Sequence, residues 1–242
     1  MSIYVMADLH LSTSTDKSMS VFGARWTDYM TKIKKNWSKI ITDEDTVIVP
    51  GDISWAINYE QAYSDFKFIN ELPGKKLLGK GNHDYWWGTY AKNKRFVEEN
   101  GFNTIDFLYN NAYLVEDYIV CGTRGWYVDE KMQSISSDDA EYQKIVNREA
   151  SRLKMSLEEA KKLQKNDEEI LVFLHFPPVF NDFICDEIVN VLLEYKIKNC
   201  YFGHIHGSYS IPRSFNYKDI SFTLVSSDYL NFIPMIVMPF DY

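Results

Sequence analysis

A layered α/β fold is predicted by two features of the sequence: short, almost continuously apolar runs bounded by turn residues, and amphipathic stretches between them. A third feature bounds the organisation. The 242 residues hold no internal repeat, low-complexity tract or linker-like segment, so one domain over 1–242 is expected. The runs at 3–6, 46–49, 76–78, 170–174 and 199–202 read as strands buried on both faces. Phe22, Trp26, Tyr29, Ile33, Trp37 and Ile40 step by three and four, which predicts a helix with Lys32, Lys34 and Lys35 off its apolar stripe. Ile184, Ile188, Val191, Leu192 and Tyr195 repeat that pattern ahead of the strand at Asn199. Residues 112–115 and 118–121, joined by Glu116-Asp117, read as a β-hairpin, which makes the sheet system mixed.

The stretch 137–166 is charged and helical, with Tyr142, Ile145, Val146, Leu153, Leu157 and Leu163 as a thin apolar line. It reads as an insertion on the core, a lid or a surface hairpin. Ser156 and Glu159 have the capping-box spacing that opens a second helix. Residues 220–225 and 233–238 return to strand, with Pro234 marking an edge or bulge.

Composition narrows the function. Hydrophobic residues make up 45% and charged residues 25%, the profile of a soluble globular chain. Twenty-six basic against thirty-four acidic residues give a net charge of −8 without a basic run, which disfavours tracking nucleic-acid phosphates. Cys121, Cys185 and Cys200 are widely spaced and odd in number, so neither a disulfide framework nor a zinc knuckle is indicated; that suits a reducing cytoplasm. The apolar start at residues 2–7 is too short for a signal-peptide core, and no apolar run reaches bilayer length.

The five histidines carry the chemistry. His10 follows the first predicted strand within Asp8-Leu9-His10; Gly51-Asp52 follows the second; Gly81-Asn82-His83-Asp84 follows the third. His175 ends the run at 170–174, and Gly203-His204-Ile205-His206 follows the run at 199–202. Ligands of open α/β sheets bind outside the carboxyl ends of the strands, so parallel neighbours would bring all five exits to one cleft. Imidazoles, carboxylates and one amide form an N/O donor set that suits manganese, iron or zinc. There are more donors than one tetrahedral ion takes, so two ions are expected. Taken singly the pieces are weak. An Asp-x-His is ordinarily a turn or cap, Gly-Asp is a common turn dipeptide, and a histidine at a strand end is ordinarily a satisfied core residue. Their joint occurrence, in order and each at a strand exit, is what carries weight.

That ordered set, D-x-H, G-D, G-N-H-D, H and G-H-x-H from Asp8 to His206, resembles the calcineurin-like metallophosphoesterase superfamily. The resemblance implies an α/β/β/α sandwich of two mixed sheets with a dinuclear metal site at the strand C-terminal ends. It implies that Asp8, His10 and His206 hold a first metal, that Asp52 bridges, and that Asn82, His175 and His204 hold a second. The implied activity is metal-dependent hydrolysis of a phosphomonoester or phosphodiester by a metal-activated hydroxide, with a small-molecule phosphoester as substrate. His83 is expected to donate to the leaving-group oxygen and Asp84 to orient it, the alternative for Asp84 being a helix N-cap.

Arg124, flanked by Gly122-Thr123 and Gly125, is the candidate for gripping a substrate phosphate, against an ordinary ion-paired arginine. Trp55, Trp86, Trp87, Trp126 and Tyr127 are candidates for an aromatic rim, with plain packing the expected role for most. A competing function is a metal-binding scaffold of the same fold acting through protein contacts of 137–166. A metallo-β-lactamase-type site is excluded because His204-Ile205-His206 continues as Gly207-Ser208-Tyr209.

Overall fold

A computed structural model describes residues 1–128 and 140–237. Four parallel strands, β1 (Ile3–Val5), β2 (Thr46–Val49), β3 (Lys75–Leu78) and β4 (Ile105–Phe107), lie side by side in chain order. A last strand, β13 (Met235–Ile236), closes the outer edge of β1 antiparallel. The second sheet runs β11 (Ser214–Tyr217), β12 (Ile220–Leu224), β10 (Asn199–Phe202), β7 (Glu169–Leu174), β6 (Tyr118–Thr123), β5 (Ala112–Val115). Its four central strands are parallel, and both edges are antiparallel hairpin partners. A small hairpin, β8 (Val179–Phe180) with β9 (Phe183–Ile184), stands apart.

Strand alternation shows how the layers stack. Along β7, Leu171 and Phe173 pack into the core shared with the first sheet, whereas Ile170, Val172 and Leu174 pack into the core on the other face. Val120 and Tyr201 point the first way; Ile119, Cys121, Cys200 and Phe202 point the second. Two sheets therefore lie face to face, as period-two side chains require. On the free face of the first sheet pack α1 (Tyr29–Ile40), α2 (Tyr59–Glu71) and α3 (Tyr90–Glu99), through Ile33, Trp37, Phe66, Ile69 and Val97. On the free face of the second pack α4 (Ala140–Leu163) and α5 (Asp186–Glu194), through Val146, Leu153, Leu157, Ile188 and Leu192. This is the expected four-layer α/β/β/α sandwich.

Three expectations change. The apolar stripe from Phe22 is not one helix: two 3-10 turns, Met19–Phe22 and Ala24–Trp26, precede α1, separated by Gly23 at φ 119°. Asp28 at φ 53° then sets the start of α1 at Tyr29, and Phe22 is exposed. Ser156 opens no second helix, because α4 runs through it unbroken. Its hydroxyl instead accepts from Gly122 N at 2.8 Å and donates to Asn111 O at 2.6 Å, pinning the helix to the second sheet. The described part of 137–166 is thus a structural layer rather than a lid or hairpin; residues 137–139, like Met238 of the last predicted strand, lie outside the described residues. Helices α2 and α3 start at Asn58 and Thr89, whose side chains accept from Gln61 N and Lys92 N.

Candidate metal centre

The loops leaving β1, β2 and β3 meet those leaving β7, β10 and β12. Ala7 pairs with Ser226 as an isolated parallel bridge between the sheets, and Gly203 N donates to His175 O at 3.1 Å. The turns are tight enough to hold Asp8, His10, Asp52 and His204 in the left-handed region, at φ 61°, 46°, 53° and 69°. Side chains avoid that region at a penalty of about 1–3 kcal/mol each, and such strain concentrates at functional sites. Two glycines allow the closest approaches. A Cβ on Gly81 would lie 2.0 Å from Asp52 Oδ1, and one on Gly203 would lie 2.5 Å from Asp8 Oδ2.

Seven expected donors converge. His10 Nε2 is 3.1 Å from His206 Nε2 and 3.5 Å from Asp52 Oδ2, and His206 Nε2 is 3.8 Å from Asp8 Oδ1. On the other side, His175 Nε2 is 2.6 Å from Asn82 Oδ1 and 3.6 Å from Asp52 Oδ1. Asp52 thus turns one oxygen to each group. Asp8, His10 and His206 form one set able to hold an ion; Asp8, Asp52 and His175 form another. His204 stands against His175, ring centroids 5.2 Å apart, and its backbone N–H donates to both Asp8 oxygens at 3.1 and 2.9 Å.

The donors fit a divalent cation. Asp8 and Asp52 are buried, with no lysine or arginine ion pair among the described residues. Burial pushes Asp8 up to about 6 against the pull of His206. It also raises Asp52 well above the carboxylate range, with Asp8 and Asp84 adding repulsion. The same burial lowers His10 and His175 and brings His204 down to about 3, so these imidazoles are neutral and offer lone pairs. A bound cation supplies the positive charge the carboxylates lack. His175 Nδ1 lies 3.2 Å from Pro50 O; with the proton on Nδ1, donated to that carbonyl, the Nε2 lone pair is turned toward the side of Asn82 and Asp52, where a cation would take it. His10 Nδ1 is buried without a partner among the described residues; Trp55, stacked at 5.1 Å, and Trp26, edge-on at 5.8 Å, hold the ring by packing. The cysteines sit elsewhere, in the core of the second sheet's helical face.

Asp228 escaped the sequence reading. It is fully buried at the exit of β12 and accepts from His206 Nδ1 at 2.8 Å, Gly207 N at 3.1 Å and the Tyr209 hydroxyl at 3.0 Å. Burial opposes a charge on His206, but the Asp228 hydrogen bond and the fields of Asp8 and Asp228 outweigh it and raise the imidazole pKa. The signal was available: Ser226-Ser227-Asp228 follows an apolar run, as the other donors do.

Asp84 does not pair with the His83 ring as expected. Its two oxygens accept from Asp52 N, Ile53 N, Ser54 N, Gly81 N and Trp86 Nε1, five donors that bind the loops after β2 and β3 to each other. A carboxylate so placed serves backbone amides, and nothing of it is left facing an imidazole. His83 lies at the rim, 31% exposed, with Nε2 4.0 Å from Asp52 Oδ2 and its ring 4.2 Å from that of Trp55. Burial, then His206 and Lys17, lower it to about 4. Of the aromatic candidates, Trp86 and Trp87 are core residues, whereas Trp55 and Tyr127 touch the site, Tyr127 at 5.6 Å from His204. Arg124 reaches Glu149 Oε1 at 3.4 Å.

Solved structures share the fold. The solved structure of a protein of unknown function, AQ665, from Aquifex aeolicus is 16% identical, covers 97% of this chain and 95% of its own, and superimposes with a TM-score of 0.50. TT1561 of Thermus thermophilus is 11% identical, with 94% and 89% covered and a TM-score of 0.56. At such identities the likeness is one of fold. No curated protein matches the sequence. No helix among the described residues is long and apolar enough to cross a membrane. The pattern of the calcineurin-like phosphoesterases matches residues 1–208, reaching from the first strand past the last histidine. The chain therefore belongs to the calcineurin-like phosphoesterase family, a family of metal-dependent phosphoesterases.

Proposed function

We propose that the chain hydrolyses a small-molecule phosphomonoester or phosphodiester at two divalent cations drawn from manganese, iron and zinc. The carrying observation is Asp52, buried, with Oδ2 3.5 Å from His10 Nε2 and Oδ1 3.6 Å from His175 Nε2. A carboxylate set between two groups of imidazoles suits a bridge between two ions. In this reading Asp8, His10 and His206 hold one ion, and Asn82, His175 and His204 hold the other. Divalent cations in such a site polarise phosphoryl oxygens and lower the pKa of coordinated water towards about 7.

The chain's own groups do the rest. Asp228 keeps the proton of His206 on Nδ1, so that Nε2 faces the cluster. Asp84 fixes the Gly51-Asp52 and Gly81-Asn82 turns by their amides. His83, at the rim, is placed to donate an N–H to the leaving-group oxygen. Trp26 and Trp55 exclude water from one flank of His10.

The test uses metal-stripped protein, with Mn²⁺, Fe²⁺, Zn²⁺, Mg²⁺ or buffer added back, on paired aryl phosphomonoester and phosphodiester substrates. Metal-dependent turnover, lost in Asp52→Asn together with part of the bound metal, is the expected result. Two ions bound per chain with no turnover of either substrate would overturn the proposal in favour of a binding scaffold.

A further inference from the structure

Around the buried carboxylate of Glu149 this acidic protein gathers three guanidiniums. Arg148 and Arg152 flank Glu149 on α4, and Arg124 follows β6. Arg124 is tied by its backbone to the metal centre, since its carbonyl accepts from His175 N at 3.1 Å and Phe176 N at 2.9 Å. Three guanidiniums converge on one oxygen: Arg152 Nη1 at 2.6 Å, Arg148 Nε at 3.3 Å and Arg124 Nη2 at 3.4 Å from Glu149 Oε1.

A purely structural ion pair accounts poorly for this arrangement. One carboxylate balances one guanidinium, and each guanidinium carries five N–H donors in a planar fork. Glu149 Oε2 and Arg124 Nε are both buried without a hydrogen-bond partner among the described residues. Two of the guanidiniums also face aromatic rings. The Arg152 guanidinium lies 5.8 Å from the Tyr109 ring, and that of Arg124 lies 5.8 and 5.7 Å from the rings of Trp126 and Phe176. Arg148 and Arg152 remain 52% and 31% exposed, so a solute reaches them. The excess positive charge has no counterpart within the described protein.

We propose that Arg124, Arg148 and Arg152, positioned by Glu149, form a subsite for a second anionic group of the substrate, beside the Asn82 and His175 side of the centre. The inference rests on the reading of that centre as a phosphoester site. It narrows the substrate class to phosphoesters bearing a further phosphoryl, sulfate or carboxylate group, recognised by bidentate guanidinium contacts.

The test has two arms. In the first, metal-loaded protein is melted with non-hydrolysable phosphonate analogues of a sugar monophosphate and of the matching bisphosphate, or with inorganic phosphate alone. The expected result is a larger rise in Tm with the bisphosphate, lost in Arg148→Gln and in Arg152→Gln. In the second, followed by turnover, either variant raises KM for the bisphosphate about tenfold or more while kcat and the monophosphate KM stay unchanged. Should Arg152→Gln fail to fold, the half-exposed Arg148→Gln carries the same expectation. Equal shifts for mono- and bisphosphate, or KM rising alike for both, overturn the proposal. So does an equal shift with inorganic phosphate alone, which would mark a free-anion site. The first arm needs no hydrolysis, so a bisphosphate-specific shift in a protein that turns nothing over would sink the phosphoesterase reading and leave the subsite standing.

Discussion

Asp228 accepts a hydrogen bond from His206 Nδ1 at 2.8 Å, and the two residues come from the exits of neighbouring parallel strands, β12 and β10. Asp228 also takes the Gly207 amide and the Tyr209 hydroxyl, so one buried carboxylate sets the ring's tautomer and the turn that carries it. Asp228→Asn keeps the shape but presents an amide to Nδ1. The expected outcome is metal affinity lowered about 10–100-fold with the fold retained, read by competition with a chromogenic chelator. Unchanged affinity would show that packing alone orients His206.

Asp84→Ala is expected to be far more disruptive than its lack of contact with the His83 ring suggests. It strands four buried backbone donors, at Asp52, Ile53, Ser54 and Gly81, along with the Trp86 indole. Leaving buried donors unpaired costs about 1–3 kcal/mol apiece before relaxation, so a loss of about 3–5 kcal/mol in unfolding free energy is expected by denaturant titration.

His83→Ala is expected to keep the bound metal and lower kcat about 10²-fold or more, most for substrates with poor leaving groups. Metal content and a leaving-group series measure the two halves of the statement. Loss of metal in this variant would refute its placement at the rim as a non-ligand.

Lys76 supplies a pH signature independent of the centre. Its buried ammonium donates to Leu72 O, and burial brings its pKa down to about 8, against a slight upward pull from Asp43. Between pH 8 and 10.5 the unfolded chain holds the proton more fully than the folded one, so stability rises with pH across that window, on the order of 2 kcal/mol. Lys76→Met should flatten this rise in melts taken across the same range; an unchanged slope would assign it to other groups.

The centre was legible because each donor follows a short apolar strand, and strands buried on both faces announce themselves as β1, β2, β7 and β10 do. Asp228 follows the same rule and was missed because Ser226-Ser227-Asp228 matches no familiar motif. Helices α2 and α3 were not singled out because their buried faces are irregular: α2 hides Asp65 beside Phe66, and α3 hides Asn93. The pairing of His83 with Asp84 failed for a different reason. Adjacency along the chain says little about which way a carboxylate turns, and four nearby amides compete for it more strongly than one imidazole.

The division of labour between the sheets has a practical consequence. Residues up to Phe107 build β1 to β4 and carry Asp8, His10, Asp52 and Asn82; residues 112 to 228 build the whole second sheet and carry His175, His204, His206 and Asp228. Only β13 returns to the first half. A chain cut in the short connection at 108–111 would thus yield two pieces, each with part of the candidate donor set. Their rejoining would act as a coincidence detector, reporting a cation only when both pieces are present.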